Sequence, residues 1–137
     1  MTPQTQLLIV APSTALAEDL LSWVIPEGYN PAVATTFESA NLQLRTNPWA
    51  ALITQVRLHE YNGLHLALRA LHAGIPAVVV GDPDSVLERD AEQLGATFVK
   101  RDDLKRERIL ALLQDFASAT DGDGLPFEAI GGPFPAS

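Results

Sequence analysis

Between Leu7 and Phe116 the chain alternates, five times over, a short continuously apolar run with a longer stretch whose apolar side chains recur at helical spacing. A strand that is apolar on both faces must be covered on both, which is the situation of a parallel sheet flanked by helices. Leu7–Val10 is the first such run; it ends at Ala11-Pro12-Ser13-Thr14, and Leu16, Leu20, Leu21 and Val24 then mark a helix that stops at Ile25-Pro26-Glu27-Gly28. The hydroxyls of Ser13 and Thr14 precede that helix, where one of them would cap its free amides. Pro31–Thr35 forms a second strand, and Thr35 with Glu38 gives the T-x-x-E pattern of a capping box, opening a helix to about Arg45. Asn47-Pro48 breaks it. Ala50–Thr54 is the third strand, Leu64, Leu68 and Leu71 mark a helix ending near Gly74, and Ile75–Val80 is the fourth strand. Gly81-Asp82-Pro83 places an N-cap aspartate before a proline at the first helical position, and that helix runs to Leu94 and Gly95. Ala96–Val99 is the fifth strand, and Leu104, Ile109, Leu112, Leu113 and Phe116 form the stripe of the last helix.

Because parallel connections are right-handed, five strand–helix units predict an α/β domain in three layers, a sheet between two layers of helices. The domain spans residues 1–118. From Ala119 the chain turns to Gly, Pro and small residues without apolar period, so 119–137 is expected to be a flexible tail outside the core. In such sheets ligands gather at the carboxyl ends of the strands, here Val10–Ser13, Thr54–Arg57, Val80–Asp82 and Val99–Arg101.

Composition narrows the chemistry. Seventeen acidic against nine basic residues give a net charge of −8, which repels phosphate backbones and anionic membrane surfaces, so neither nucleic acid nor membrane is an expected partner. The chain has no cysteine, which removes disulfides, thiolate nucleophiles and thiolate-bound zinc. Apolar runs such as Ala77–Val80 are too short to span a bilayer and no basic-then-apolar leader precedes them, so the expected location is the cytoplasm.

At the strand ends the chain resembles the receiver domain of bacterial response regulators, over roughly Gln6 to Phe116. Leu7-Leu8-Ile9-Val10 stands at the family's first strand. The run from Leu52 to Leu64, with the spacing of Gln55 to Gly63-Leu64, matches its third strand and the loop after it. Ile75–Val80 stands at the fourth strand, and Leu94-Gly95-Ala96 with Phe98-Val99-Lys100 at the approach to the fifth. The resemblance implies a flavodoxin-like (βα)5 fold with sheet order 2-1-3-4-5. It also implies a degenerate site. Receivers take phosphate onto an aspartate where this chain has Gln55, and an amide is nearly non-nucleophilic. They bind Mg²⁺ through an acidic pair where this chain has Ala11 and Pro12, which offer no oxygen ligands from their side chains. Gly81 stands in place of their hydroxyl residue. Lys100 matches their lysine, is followed by Arg101 in place of proline, and is expected to pair with Asp82 or to stay solvated.

Other candidates read as ordinary structure. Asp82 and Asp84 flank Pro83 and suit a helix start better than a cation or an acid–base pair. His59, His65 and His72 lack both the H-E-x-x-H pattern and an i, i+4 spacing, so no metal site is expected. No phosphate-cradling glycine motif and no nucleophile–base pairing occurs, so no catalytic residue and no cofactor are expected. Five of the nine basic residues crowd into Lys100–Arg108 of an acidic chain. Phe98, Arg101, Lys105 and Arg108 therefore mark an expected docking or homodimer face on the last strand and its flanking helices, the alternative being a solvated helix face balanced by Asp102, Asp103 and Glu107. The function expected is a non-catalytic signalling module acting by protein contact. The alternative is a small-ligand or anion-binding domain using an emptied pocket between Val10–Ser13, Gln55 and Gly81, with Ser13, Gln55 and Lys100 as donors.

Overall fold

The computed structural model describes residues 5–46, 48–58 and 61–123. Five parallel strands form one sheet: β1 (Gln6–Val10), β2 (Asn30–Ala34), β3 (Ala51–Gln55), β6 (Ala77–Gly81) and β7 (Thr97–Lys100). Their order is β2-β1-β3-β6-β7. The two strands left out of that order, β4 (Arg57–Leu58) and β5 (Tyr61–Asn62), pair with each other as a separate antiparallel hairpin. Numbered without that hairpin, the sheet has the 2-1-3-4-5 order of the flavodoxin-like fold. The helices are α1 (Thr14–Val24), α2 (Phe37–Thr46), α3 (Gly63–His72), α4 (Ser85–Leu94) and α5 (Arg106–Asp123).

Alternation along each strand splits the apolar residues between two cores. Leu7, Ile9, Ile53, Val78, Val80 and Val99 pack with the apolar stripes of α1 and α5. Leu8, Val10, Leu52 and Val79 pack with residues of α2, α3 and α4 on the opposite face. Burial of each large side chain contributes about 1.5–3 kcal/mol, and β1, whose last four residues are fully buried, joins the two layers. Glycine closes two of the helical segments where the sequence placed them: Gly28 and Gly95 have φ of 95° and 96°, a left-handed backbone that costs glycine nothing.

Several boundaries fall a little away from their expected places. The cap of α2 is Thr36, whose hydroxyl accepts the Ser39 N–H at 3.1 Å, and not Thr35. The strand before it ends at Ala34, whose carbonyl accepts the Ala11 N–H at 2.9 Å and keeps the chain extended up to that point. The cap of α4 is Asp84, not Asp82: its carboxylate accepts from Val86 and Leu87, and Glu88 returns a carboxylate oxygen to the Asp84 N–H at 3.3 Å. Four residues after Asp82 stands Val86, whose side chain has no acceptor to return such a bond. Leu104 lies before α5 and packs into the α1–α5 core from the preceding turn. The start of α5 is tied to the turn after α1 by an ion pair of Arg106 with Glu27 at 3.2 Å. Helix α5 continues to Asp123, so the backbone of 119–123, expected in the tail, is helical; 124–137 lie outside the described residues, as do His59 and Glu60.

Candidate functional site at the carboxyl ends of the strands

Register brings the singled-out positions to one end of the sheet. Val10 lies beside Thr54, Gln55 beside Val80, and Gly81 beside Lys100. Ala11, buried, and Pro12 and Ser13, half-buried, follow directly from β1. Gln55, half-buried, is the last residue of β3, Gly81 the last of β6 and Lys100 the last of β7.

Two contacts join these residues to their surroundings. The side-chain oxygen of Gln55, Oε1, accepts the backbone N–H of Ser13 at 3.0 Å, so the amide reaches across to the β1–α1 loop. Ser13 caps α1 as the sequence suggested, its hydroxyl accepting the Leu16 N–H at 3.3 Å. The other half of the space is apolar. A Cβ on Gly81 would lie 2.6 Å from Val56 Cγ1 and 3.3 Å from Phe98 Cζ. Val56, buried, thus stands where a side chain from the end of β6 would have to go. Sequence reasoning missed Val56; the signal available was a β-branched residue just after β3 facing a glycine at the end of the neighbouring strand. Gly81→Thr is expected to destabilise the protein by about 1–3 kcal/mol, since Val56 and Phe98 must both shift to admit the larger side chain. Chemical denaturation measures this directly, and an unchanged midpoint would show that the space is open.

Behind the site, Thr54 is the buried polar residue of the described core, and its hydroxyl donates to the Gln55 carbonyl at 2.9 Å. The same carbonyl oxygen abuts Gly63, the first residue of α3. Gly63 N–H donates to the Val56 carbonyl at 2.7 Å, which folds the β4–β5 hairpin back onto the strand end. That hairpin was not expected from the sequence, which showed no alternation there.

Lys100 does not pair with Asp82. Its Nζ lies 3.9 Å from Glu88 Oε1 at the start of α4, and the lysine side chain is 45% exposed, an arrangement worth at most about 1 kcal/mol. Of the expected docking face, Phe98 is partly buried against the α2–α3–α4 core, while Arg101, Lys105 and Arg108 are exposed at and after the end of β7. Arg106 in the same stretch is held by Glu27.

A divalent cation would need oxygen ligands here, preferably carboxylates. Ala11 and Pro12 have none in their side chains, and the Gln55 side-chain oxygen is already an acceptor for Ser13. The residues present do not fit such an ion. Among the described residues no group of three or more His, Cys, Asp or Glu side chains is placed to hold a metal, and no helix is long and apolar enough to cross a membrane.

No protein-family model matches the sequence, and no curated protein matches it. Solved structures do match the fold. The CheY-like response regulator receiver domain protein of Methanospirillum hungatei JF-1 superposes with a TM-score of 0.80 at 18% identity, covering 88% of this chain and 98% of that one. The signal receiver domain of an HD domain-containing protein from Pseudomonas fluorescens Pf-5 gives 0.78 at 19% identity, covering 91% and 96%. The beryllofluoride-activated NtrC4 receiver domain dimer gives 0.76 at 17% identity, covering 84% and 98%. The fold is thus that of CheY-type receiver domains.

Proposed function

We propose that this chain is a non-catalytic, receiver-like signalling module that acts through protein contact and without phosphorylation of an aspartate. The observation that carries this reading is Gln55, at the end of β3, with its side-chain oxygen bonded to Ser13. Acyl phosphate formation needs a carboxylate oxygen as nucleophile, and an amide does not supply one. Two further features support the reading. Ala11 and Pro12 bring no ligand for the cation that would neutralise an incoming phosphoryl group, and the place of a hydroxyl at the end of β6 is taken by Val56 packed over Gly81. The competing picture of an emptied ligand pocket has less to stand on, because the Gln55 side-chain oxygen is already an acceptor for Ser13 and Val56 lies against Gly81.

Contact is proposed through the face made by Phe98, Arg101, Lys105 and Arg108. Three exposed cations at the end of β7 and the start of α5, in a chain of net charge −8, suit an acidic surface, whether on another protein or on a second copy of this chain. The NtrC4 structure is of a receiver domain that forms a dimer, which makes self-association a natural first test. Light scattering on the eluting protein reads the assembled mass directly. Reversing Arg101, Lys105 and Arg108 to glutamate is expected to convert a dimer to a species near the chain mass of 14.7 kDa, or to abolish capture of an acidic partner. An assembly that survives the triple reversal at low salt, where charge pairing is least screened, would remove this face from the proposal.

A further inference from the structure

We infer that Gln55 is a positioning residue that ties the start of α1 to the end of β3, so that the two loops of this strand end are held as one piece. The link joins residues 42 apart in sequence through a single 3.0 Å hydrogen bond. Ser13 is fixed from both sides. Its N–H donates to Gln55, its hydroxyl caps Leu16, and its carbonyl accepts the Ala17 N–H at 3.1 Å. Helix α1 has no acidic residue in its first turn, so the amide oxygen of Gln55 is the acceptor that the chain brings to this helix start from another element.

Gln55 is anchored equally well at its own backbone. Its carbonyl accepts from the buried Thr54 hydroxyl at 2.9 Å and abuts Gly63. The next residue, Val56, donates to the Val80 carbonyl at 2.9 Å and accepts from Gly63 at 2.7 Å. A displacement of the α1 start is therefore passed to the β3–α3 segment through the Gln55 side chain and not only through the sheet. Such a bridge keeps one arrangement of both loops without a bound group to hold them. It deepens the reading of the site as unswitched, and it also stands on its own geometry.

The length of the side chain is what distinguishes this role from simple packing. Asparagine carries the same amide one methylene shorter and does not reach Ser13, whereas glutamate places an acceptor oxygen at the same distance. Amide hydrogen exchange of the full chain, followed by NMR, gives the test. Ser13 is expected to exchange about fivefold faster in Gln55→Ala and Gln55→Asn than in the parent chain, and to stay protected in Gln55→Glu, with Ile9 in the sheet as an unchanged reference. Equal Ser13 protection in Gln55→Ala and the parent, or full protection in Gln55→Asn, would overturn the assignment. The outcome is separable from the phosphorylation question: a phosphoryl adduct on the parent chain would sink the unswitched reading and leave the Ser13 measurement standing.

Discussion

Gly63→Ala is expected to lower the free energy of unfolding by about 3 kcal/mol, the upper end of the range for forcing a methyl group into filled space. Against a total stability of about 5–15 kcal/mol for a domain of this size, that is a large loss. The sign is informative as well as the size. At an unconstrained helical position alanine is the better residue by about 0.5–1 kcal/mol, so a mere preference of helix α3 would make the substitution stabilising. Here the added Cβ would drive into the carbonyl oxygen of Gln55 and lie 3.1 Å from the Thr54 hydroxyl oxygen. The first of these is backbone, and it cannot rotate out of the way as a side-chain tip can. The Gly63 N–H bond to Val56 resists the remaining escape, a retreat of the helix. Urea unfolding of the two proteins decides the matter, and an alanine variant as stable as the parent would mean that β3 and the start of α3 do not touch as described.

The second large effect is one of chemistry. Gln55→Asp restores a carboxylate at the end of β3, yet the variant is expected to remain unmodified by acetyl phosphate and magnesium. A lone carboxylate does not gather the cation, because its neighbours across the site are Ala11 and Pro12. Lys100, the last residue of β7, has its ammonium beside Glu88. The shorter side chain also gives up the bond to Ser13, a loss of about 1 kcal/mol. Intact-mass spectrometry of the variant after incubation reads the result, and a hydroxylamine-labile adduct would show that one residue was all the site lacked.

How far the sequence foretold this molecule can be judged element by element. Strands such as Leu7–Val10 and Ala77–Val80 were legible because burial on both faces leaves an unbroken apolar run, and the helix ends at Gly28 and Gly95 were legible because a left-handed turn selects glycine. Order in the sheet came from resemblance rather than from periodicity. Caps were readable in kind but not in place: Thr35 and Thr36, or Asp82 and Asp84, carry the same capping chemistry, and the choice between them is made by where β2 lets go and by the Glu88 carboxylate. The β4–β5 hairpin, with two residues in each strand, is too short to leave a pattern. Within the site, the identity of Gln55, Ala11, Pro12 and Gly81 was plain, but what fills the space was not. The Gln55–Ser13 bond and the Val56 contact with Gly81 join distant parts of the chain, and no local pattern encodes them.

A receiver-like module that does not accept phosphate must stay unmodified at the end of β3 under phosphodonor. Incubating the 137-residue chain with acetyl phosphate and magnesium and weighing it intact should return the unmodified mass at every time point. A phosphoryl adduct that is lost on hydroxylamine treatment and maps to the β3–α3 segment would contradict it.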